Sequence, residues 1–340
     1  APPLANRPPT RTSPRRVTPA RMAGMLRARS VRTPPRGTHF IPAALGAVGY
    51  EPRNLREAKR HPSWSQWLSA ILKEHQGLRD HRVYDVVPRS DVPATAQVLS
   101  SMYTFKDKPG GAKARLVVHG HRQRIKPSDI EKYAATPTLT SFRILVATAT
   151  QNDDEIDHLD VSQAFTQATE FTDDEAIYLA PPEFSGTPQG HVWRLRRPLY
   201  GLICSPSRWF NTLSAFFVAD GWQQVNGESC LYTKPTASGY RLLASFYVDD
   251  VLLSYSAADA AEARAFRERF ASRFRSTNLG PLRHYLGIDV VRDRVAGTTT
   301  LSQEQSILDL LDRHGLRPGE CNATDTPLSP GCHLSRTDCP

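Results

Sequence analysis

Apolar residues recur along this chain with two different spacings, and the switches between them sketch a fold. From Asn54 they follow a helical period that breaks at His61-Pro62 and resumes with Trp64, Trp67, Leu68, Ile71 and Leu72 on one predicted face. Short alternating runs come next, at Tyr84–Val87, Val98–Phe105 and Ala114–Val118, with Pro109-Gly110-Gly111 as a turn, and they predict a small antiparallel subdomain. Helical spacing returns over Thr140–Thr150, where Phe142, Leu145, Val146 and Ala149 line up. It returns again after Ser205 and Pro206, read as N-cap and first turn, with Trp209, Phe210, Leu213, Phe216 and Phe217 inward and Gly221 closing. Another amphipathic helix is expected over Ala258–Phe274, burying Phe266, Phe270 and Phe274 and turning Arg264, Arg267 and Arg275 to solvent. Leu279 to Arg292 predicts two strands around Tyr285-Leu286-Gly287. Ser302 with Gln305 predicts a capping box that opens a helix carrying Ile307, Leu308, Leu310 and Leu311, closed by Gly315.

The run Leu242–Leu253 breaks the alternation. Two apolar segments flank Asp249 and Asp250, which predicts a hairpin with both acids at its turn. No Gly, Lys or Arg sits beside them, and adjacent carboxylates repel unless a cation relieves them. A solvated hairpin tip is the ordinary alternative, so the pair needs a further ligand to mean more. Ile156–Phe165 offers one, a short strand ending at Asp160. Three such carboxylates would suit hard cations of the Mg²⁺ type, and two ions about 3.5–4 Å apart can clamp an in-line phosphoryl transfer.

Tyr247-Val248-Asp249-Asp250, together with Leu159-Asp160-Val161 and Ala164-Phe165, resembles the palm of Ty1/copia-type retrotransposon reverse transcriptases. Further blocks fall in that family's order: Glu51-Pro52 to Trp64, Lys113 to Val117, Leu199-Tyr200-Gly201-Leu202, Tyr285-Leu286-Gly287-Ile288 and Thr326-Pro327-Leu328. The resemblance implies an α+β right-hand polymerase: fingers, a palm whose antiparallel sheet carries the hairpin with helices on one face, and a partial thumb. It implies RNA-directed DNA polymerisation, with dNTPs added to a primer on an RNA or DNA template. Asp160, Val161, Asp249 and Asp250 would hold two Mg²⁺ ions, with Mn²⁺ able to substitute; Asp250 is the auxiliary carboxylate. Lys113 and Arg115 would contact phosphates, and Phe165 would gate against the ribose 2′-hydroxyl. Tyr200 and Gly201 would shape the nucleotide pocket, Tyr247 would approach the primer terminus, and Leu286-Gly287 would steady the primer end. Ile203-Cys204 and Ser207 replace the family's usual Lys-Gln and Arg, which removes polar contacts there. The resemblance also implies association with other retroelement polyprotein products, in an intracellular setting: cytoplasmic virus-like particles, the nucleus, or both. A ribonuclease H segment is expected after the thumb and is not reached, which suggests a fragment or a truncated element. The alternative is a catalytically inactive relic that only binds nucleic acid.

Charge refines this layout. Of the net +9 carried by 340 residues, all nine units arise from Arg in residues 1–38, which lack Asp, Glu and Lys; the remainder balances to zero. Rich in Pro and Arg, that stretch reads as a disordered linker (1–49) or a phosphate-binding arm, and its prolines argue against an amphipathic transit helix. The expected domains are then 50–255 for fingers and palm, 256–329 for the palm end and thumb, and an unstructured 330–340. Any nucleic-acid groove must come from charge separation within a neutral body. Five cysteines without a CxxC pair fit a reducing compartment, and Cys321, Cys332, His333 and Cys339 match no common zinc spacing. No apolar run approaches the roughly 20 residues of a membrane span.

Overall fold

A computed structural model describes residues 51–108, 110–124 and 134–316. The expected linker, the Thr326-Pro327-Leu328 block, Cys321, Cys332 and Cys339, and the tail at 330–340 lie outside the described residues. The chain runs through α1 (Leu55–Ala58), α2 (Trp64–Asp80), β1 (Tyr84–Pro88), β2 (Val98–Leu99), β3 (Ser101–Lys108) and β4 (Gly111–Val118). Helix α3 (Leu139–Asn152) leads into β5 (Glu155–Val161), then β6 (Ile177–Leu179), β7 (His191–Leu195) and α4 (Ser205–Ala219). After β8 (Gln223–Val225), β9 (Glu228–Pro235), β10 (Arg241–Tyr247) and β11 (Asp250–Tyr255), helix α5 (Ala260–Arg273) returns the chain to β12 (Ser276–Pro281). Strands β13 (His284–Tyr285), β14 (Ile288–Asp293) and β15 (Thr298–Ser302) precede α6 (Glu304–Arg313).

The centre is a six-stranded antiparallel sheet in the order β12-β5-β11-β10-β9-β8. Successive side chains on its strands point to opposite faces, so its near-continuous apolar runs require cover on both sides. On one side Val251, Leu253, Leu242, Ala244 and Phe246 pack against Trp209, Leu213 and Phe217 of α4 and Phe266 and Phe270 of α5. The other side is covered as well: Ile156 and Leu252 meet Phe142, Leu145, Val146 and Ala149 of α3, together with Tyr285 and Ile288. That second cover explains why Leu252, between two inward neighbours, is itself fully buried. The fold is α+β, with one parallel pair among the described residues, β2 with β6, and otherwise antiparallel neighbours.

The small subdomain divides differently from the sequence reading. Only β3 and β4 form the expected hairpin, while β1 pairs with β7 and β2 with β6 in a separate four-stranded sheet. Tyr84 stacks on Trp193 at 3.6 Å, a contact between segments far apart in sequence that no local period announces. Helix α2 turns Trp67, Ile71, Glu74 and Leu78 inward, and Leu72 outward at 47% exposure, so its buried stripe is rotated from the one predicted. Ser205 is not the N-cap of α4; its hydroxyl donates to the Leu199 carbonyl at 2.6 Å and anchors the preceding turn instead. Arg267 does not face solvent, since it reaches the carboxylate of Asp157, which Tyr255 also hydrogen-bonds at 3.0 Å. No capping box opens α6: the Glu304 amide donates to Ser302 Oγ at 3.1 Å, but Gln305 pairs forward with Asp309. Leu279 belongs to the central sheet through β12 and not to the later hairpin. No helix among the described residues is long and apolar enough to cross a membrane.

Candidate active site

Strand β5 lies between β12 and β11, with Asp160 directly opposite Asp250. The β10–β11 hairpin pairs Tyr247 with Asp250, so its loop is Val248-Asp249 and Asp250 is already the first residue of the returning strand. This shifts the turn by one position from the predicted pair. Val248 has φ +52°, a left-handed conformation that a β-branched residue adopts only under external constraint. The constraint is visible: Trp209 Nε1 donates to the Val248 carbonyl, and the Val161 amide donates to the Asp249 carbonyl at 2.7 Å. Helix α4 and the end of β5 thus hold the hairpin tip from two sides.

The carboxylates separate in role. Asp160 and Asp249 line a cleft of about 600 Å³ whose opposite wall carries Lys113 and Arg115 of β4. Asp250 instead accepts a hydrogen bond from His158 Nε2 at 2.7 Å, on the strand beside it. Burial pushes the Asp249 carboxyl up, and the nearby Asp250 and Asp160 add to this, against the opposing pull of a hydrogen bond from its own backbone amide and a smaller one from Arg115. Across the cleft, burial and then Arg115 push the Lys113 ammonium down. Lys113 and Arg115 alternate with buried Ala114, Leu116 and Val118, which places both cations on the open face of β4.

Arg115 is oriented by what lies behind it. Its guanidinium stands 4.8 Å from the centre of the Tyr200 ring, which in turn lies 5.0 Å from the ring of Phe165. Burial pushes the Tyr200 hydroxyl up to about 12. Gly201, with φ +91°, lets this turn press on β4: a Cβ there would stand 2.1 Å from the Val118 carbonyl oxygen. The close approach that Gly201 permits is thus to β4. Leu286 and Gly287 form the left-handed turn between β13 and β14 and do not line the cleft, while Tyr247 packs with the cluster on the α3 side of the sheet.

Among the described residues no three His, Cys, Asp or Glu side chains gather into a ready-made metal cage. Mg²⁺ seldom needs one, because it keeps several waters and takes one or two carboxylates plus substrate phosphates. Two carboxylates on one wall, with Val161 beside them and cations for phosphate opposite, fit that requirement.

Residues 81–330 match the family model described as reverse transcriptase (RNA-dependent DNA polymerase). The chain belongs to this family. Among curated relatives, the chain is 29% identical over 298 residues to the Retrovirus-related Pol polyprotein from transposon TNT 1-94 of Nicotiana tabacum, covering 85% of this chain and 22% of that one. It is 28% identical to the corresponding polyproteins from transposons RE2 and RE1 of Arabidopsis thaliana, covering 84% and 91% of this chain and 19% and 20% of theirs. The chain therefore spans about one fifth of the length of these copia-type relatives. A solved foamy viral protease-reverse transcriptase in complex with double-stranded DNA is similar over 73% of this chain and 40% of that one, at 15% identity and TM-score 0.38.

The cleft is also shaped by residues that no motif marks. Glu74 of α2 is buried and accepts hydrogen bonds from the Leu116 amide at 3.1 Å and from Gln163 Nε2 at 2.7 Å. It ties the strand of Arg115 to the turn that follows Asp160. Burial pushes its carboxyl up despite both bonds. Gly77 leaves the space that Gln163 occupies, since a Cβ there would fall 2.2 Å from Gln163 Oε1. The signal was present: an acid at position 74 continues the apolar stripe of Trp67, Ile71 and Leu78.

Proposed function

We propose that this domain is an RNA-directed DNA polymerase that adds dNTPs to a primer 3′-hydroxyl on an RNA or DNA template. The observation that carries the reading is the single cleft with Asp160 and Asp249 on one wall and Lys113 and Arg115 on the other. In this reading the central sheet is the palm, the β3–β4 hairpin and α2 belong to the fingers, and α6 begins a thumb. Asp160, Asp249 and the Val161 carbonyl would hold Mg²⁺ or Mn²⁺, which when bound neutralises phosphate charge and lowers the pKa of the attacking hydroxyl. Arg115, held over the Tyr200 ring, offers a fork to the triphosphate oxygens, and Lys113 offers a point charge. Phe165 and Tyr200, packed behind Arg115 and outside the cleft lining, would shape the sugar side of the pocket through it. Asp250, bound to His158, keeps the hairpin in register with β5 and acts as the auxiliary carboxylate. Catalysis is then mainly positioning and charge stabilisation, and base pairing supplies the sequence.

Primer extension on poly(rA)/oligo(dT) with Mg²⁺ or Mn²⁺ tests the reading. Incorporation that depends on the metal and on Asp249 is expected; extension by Asp249→Asn at the wild-type rate would sink the assignment. Cys204, half-buried where the family has a polar residue, favours a second reading as a nucleic-acid-binding relic. Template binding without any extension would establish it.

A further inference from the structure

Beside the nucleotide cleft lies a second concavity of about 570 Å³. Its walls carry Arg82, Arg197, Arg273, Arg275 and His81 against a single carboxylate, Asp80. That carboxylate is already engaged, by Gln76 Nε2 at 2.6 Å and at longer range by Arg275 at 3.5 Å. Arg197 directs one terminal nitrogen to Glu170 at 3.1 Å, but its Nε is covered from water and has no hydrogen-bond partner among the described residues.

The His81 ring is in the same position. Thr166 Oγ1 donates its one proton to the Gln163 carbonyl at 2.7 Å, so the 2.6 Å contact with His81 Nδ1 is donated by the imidazole. His81 Nε2 is left as a covered acceptor without a partner among the described residues. Buried polar nitrogens cost free energy when unpaired, and clustered guanidinium groups repel one another. Burial and the neighbouring Arg197 both push the Arg273 guanidinium down, a sign of that crowding. One arriving oxyanion, met by a shift of an exposed arginine side chain, would pair the Arg197 Nε and relieve the crowding of the guanidinium groups, while His81 Nε2, an acceptor when Nδ1 carries the proton, would take only a protonated oxygen of the ligand.

The pocket is joined to the cleft, because Asp80 and Arg275 line both. The Arg275 carbonyl accepts from the Ser162 amide at 2.9 Å, and the Arg275 amide donates to Gln167 Oε1 at 2.7 Å. The wall between the two spaces is therefore fixed to the turn that follows Asp160.

We propose that this pocket is a second anion site, distinct from Lys113 and Arg115, that takes a free polyphosphate group such as pyrophosphate or a nucleotide tail. Its continuity with the cleft that Lys113 and Arg115 line favours a small polyphosphate over the phosphodiester backbone of a strand, which presents the same oxygens. The choice of a polyphosphate rests on the polymerase reading of the neighbouring cleft, whereas the cluster of guanidinium groups does not.

The test is binding of pyrophosphate to the full chain by calorimetry in EDTA, without primer or template. Arg197→Gln is expected to weaken binding about tenfold. Arg82 and Arg273 are exposed, so the double variant Arg82→Gln/Arg273→Gln should keep the fold and weaken binding to a similar degree. Asp249→Asn should still bind, which separates this result from any failure of catalysis. Wild-type affinity in the double variant would overturn the site. A loss confined to a (dT)20 oligonucleotide, with pyrophosphate unbound throughout, would overturn the small-ligand assignment.

Discussion

Two clusters in this molecule bring carboxylates and cations together, and they are built to opposite ends. Around Asp220, at the end of α4, Lys234 Nζ lies at 3.1 Å and Arg269 at 2.5 and 3.0 Å, while Trp222 Nε1 donates at 3.1 Å. Burial alone would raise this carboxyl, but the bonds from Arg269 and Lys234 more than offset it and hold it below the ordinary value. In the cleft, Asp249 faces Lys113 and Arg115 across open space and is pushed up. The first arrangement satisfies its charges and ties helix to strand. The second leaves both signs in need of a partner, which is the state a site must keep if a charged substrate is to complete it.

This contrast can be broken by substitution. The largest effect expected is on turnover: Asp249→Asn should lower primer extension about 10²–10³-fold, measured under single-turnover conditions. The same variant should raise Tm. A carboxylate whose pKa is raised on folding costs stability while charged, and regains it as pH falls through the raised value. A lower Tm for Asp249→Asn would show that this carboxylate holds the fold together. Asp220→Asn should act in reverse, costing about 2 kcal/mol in urea unfolding with extension nearly intact. Because the Asp220 pKa is depressed on folding, its contribution is complete above the unfolded carboxylate range and is lost as pH falls through the lowered value. A wild-type acid-unfolding midpoint in Asp220→Asn would count against that account. Arg115→Ala should raise the nucleotide KM about tenfold with a smaller change in kcat; an unchanged KM would remove Arg115 from the pocket. Glu74→Ala, which frees the Leu116 amide and the Gln163 side chain, should cost about 1–3 kcal/mol by urea unfolding, and wild-type stability would deny it the tie.

What the sequence made legible was local. The hairpin around Asp249, the strand ending at Asp160 and the stripe of Phe142, Leu145, Val146 and Ala149 each rest on a period of two or 3.6 residues, and each is present. The pairing of β1 with β7 and the reach of Arg267 to Asp157 join segments about 110 residues apart, and no window of sequence contains both partners. Asp250 shows a subtler limit. Motif and spacing placed it with the other two acids, yet the strand-adjacent His158 decided which way its carboxylate faces. The rotation of the α2 stripe has the same origin, since Glu74 earns its inward place only from groups on β4 and the 162–167 turn.

Gly120 and Gly201 sit back to back where β4 meets the 199–202 turn, and a Cβ on either would collide with backbone at about 2 Å. A seam that tight behaves as a weld. Any hinge motion that swings β4 toward or away from the sheet must carry the turn along, so the guanidinium of Arg115 and the ring beneath it travel as one jaw. The spacing between the surface that grips phosphate and the ring that shapes the sugar side then stays fixed however wide the mouth opens.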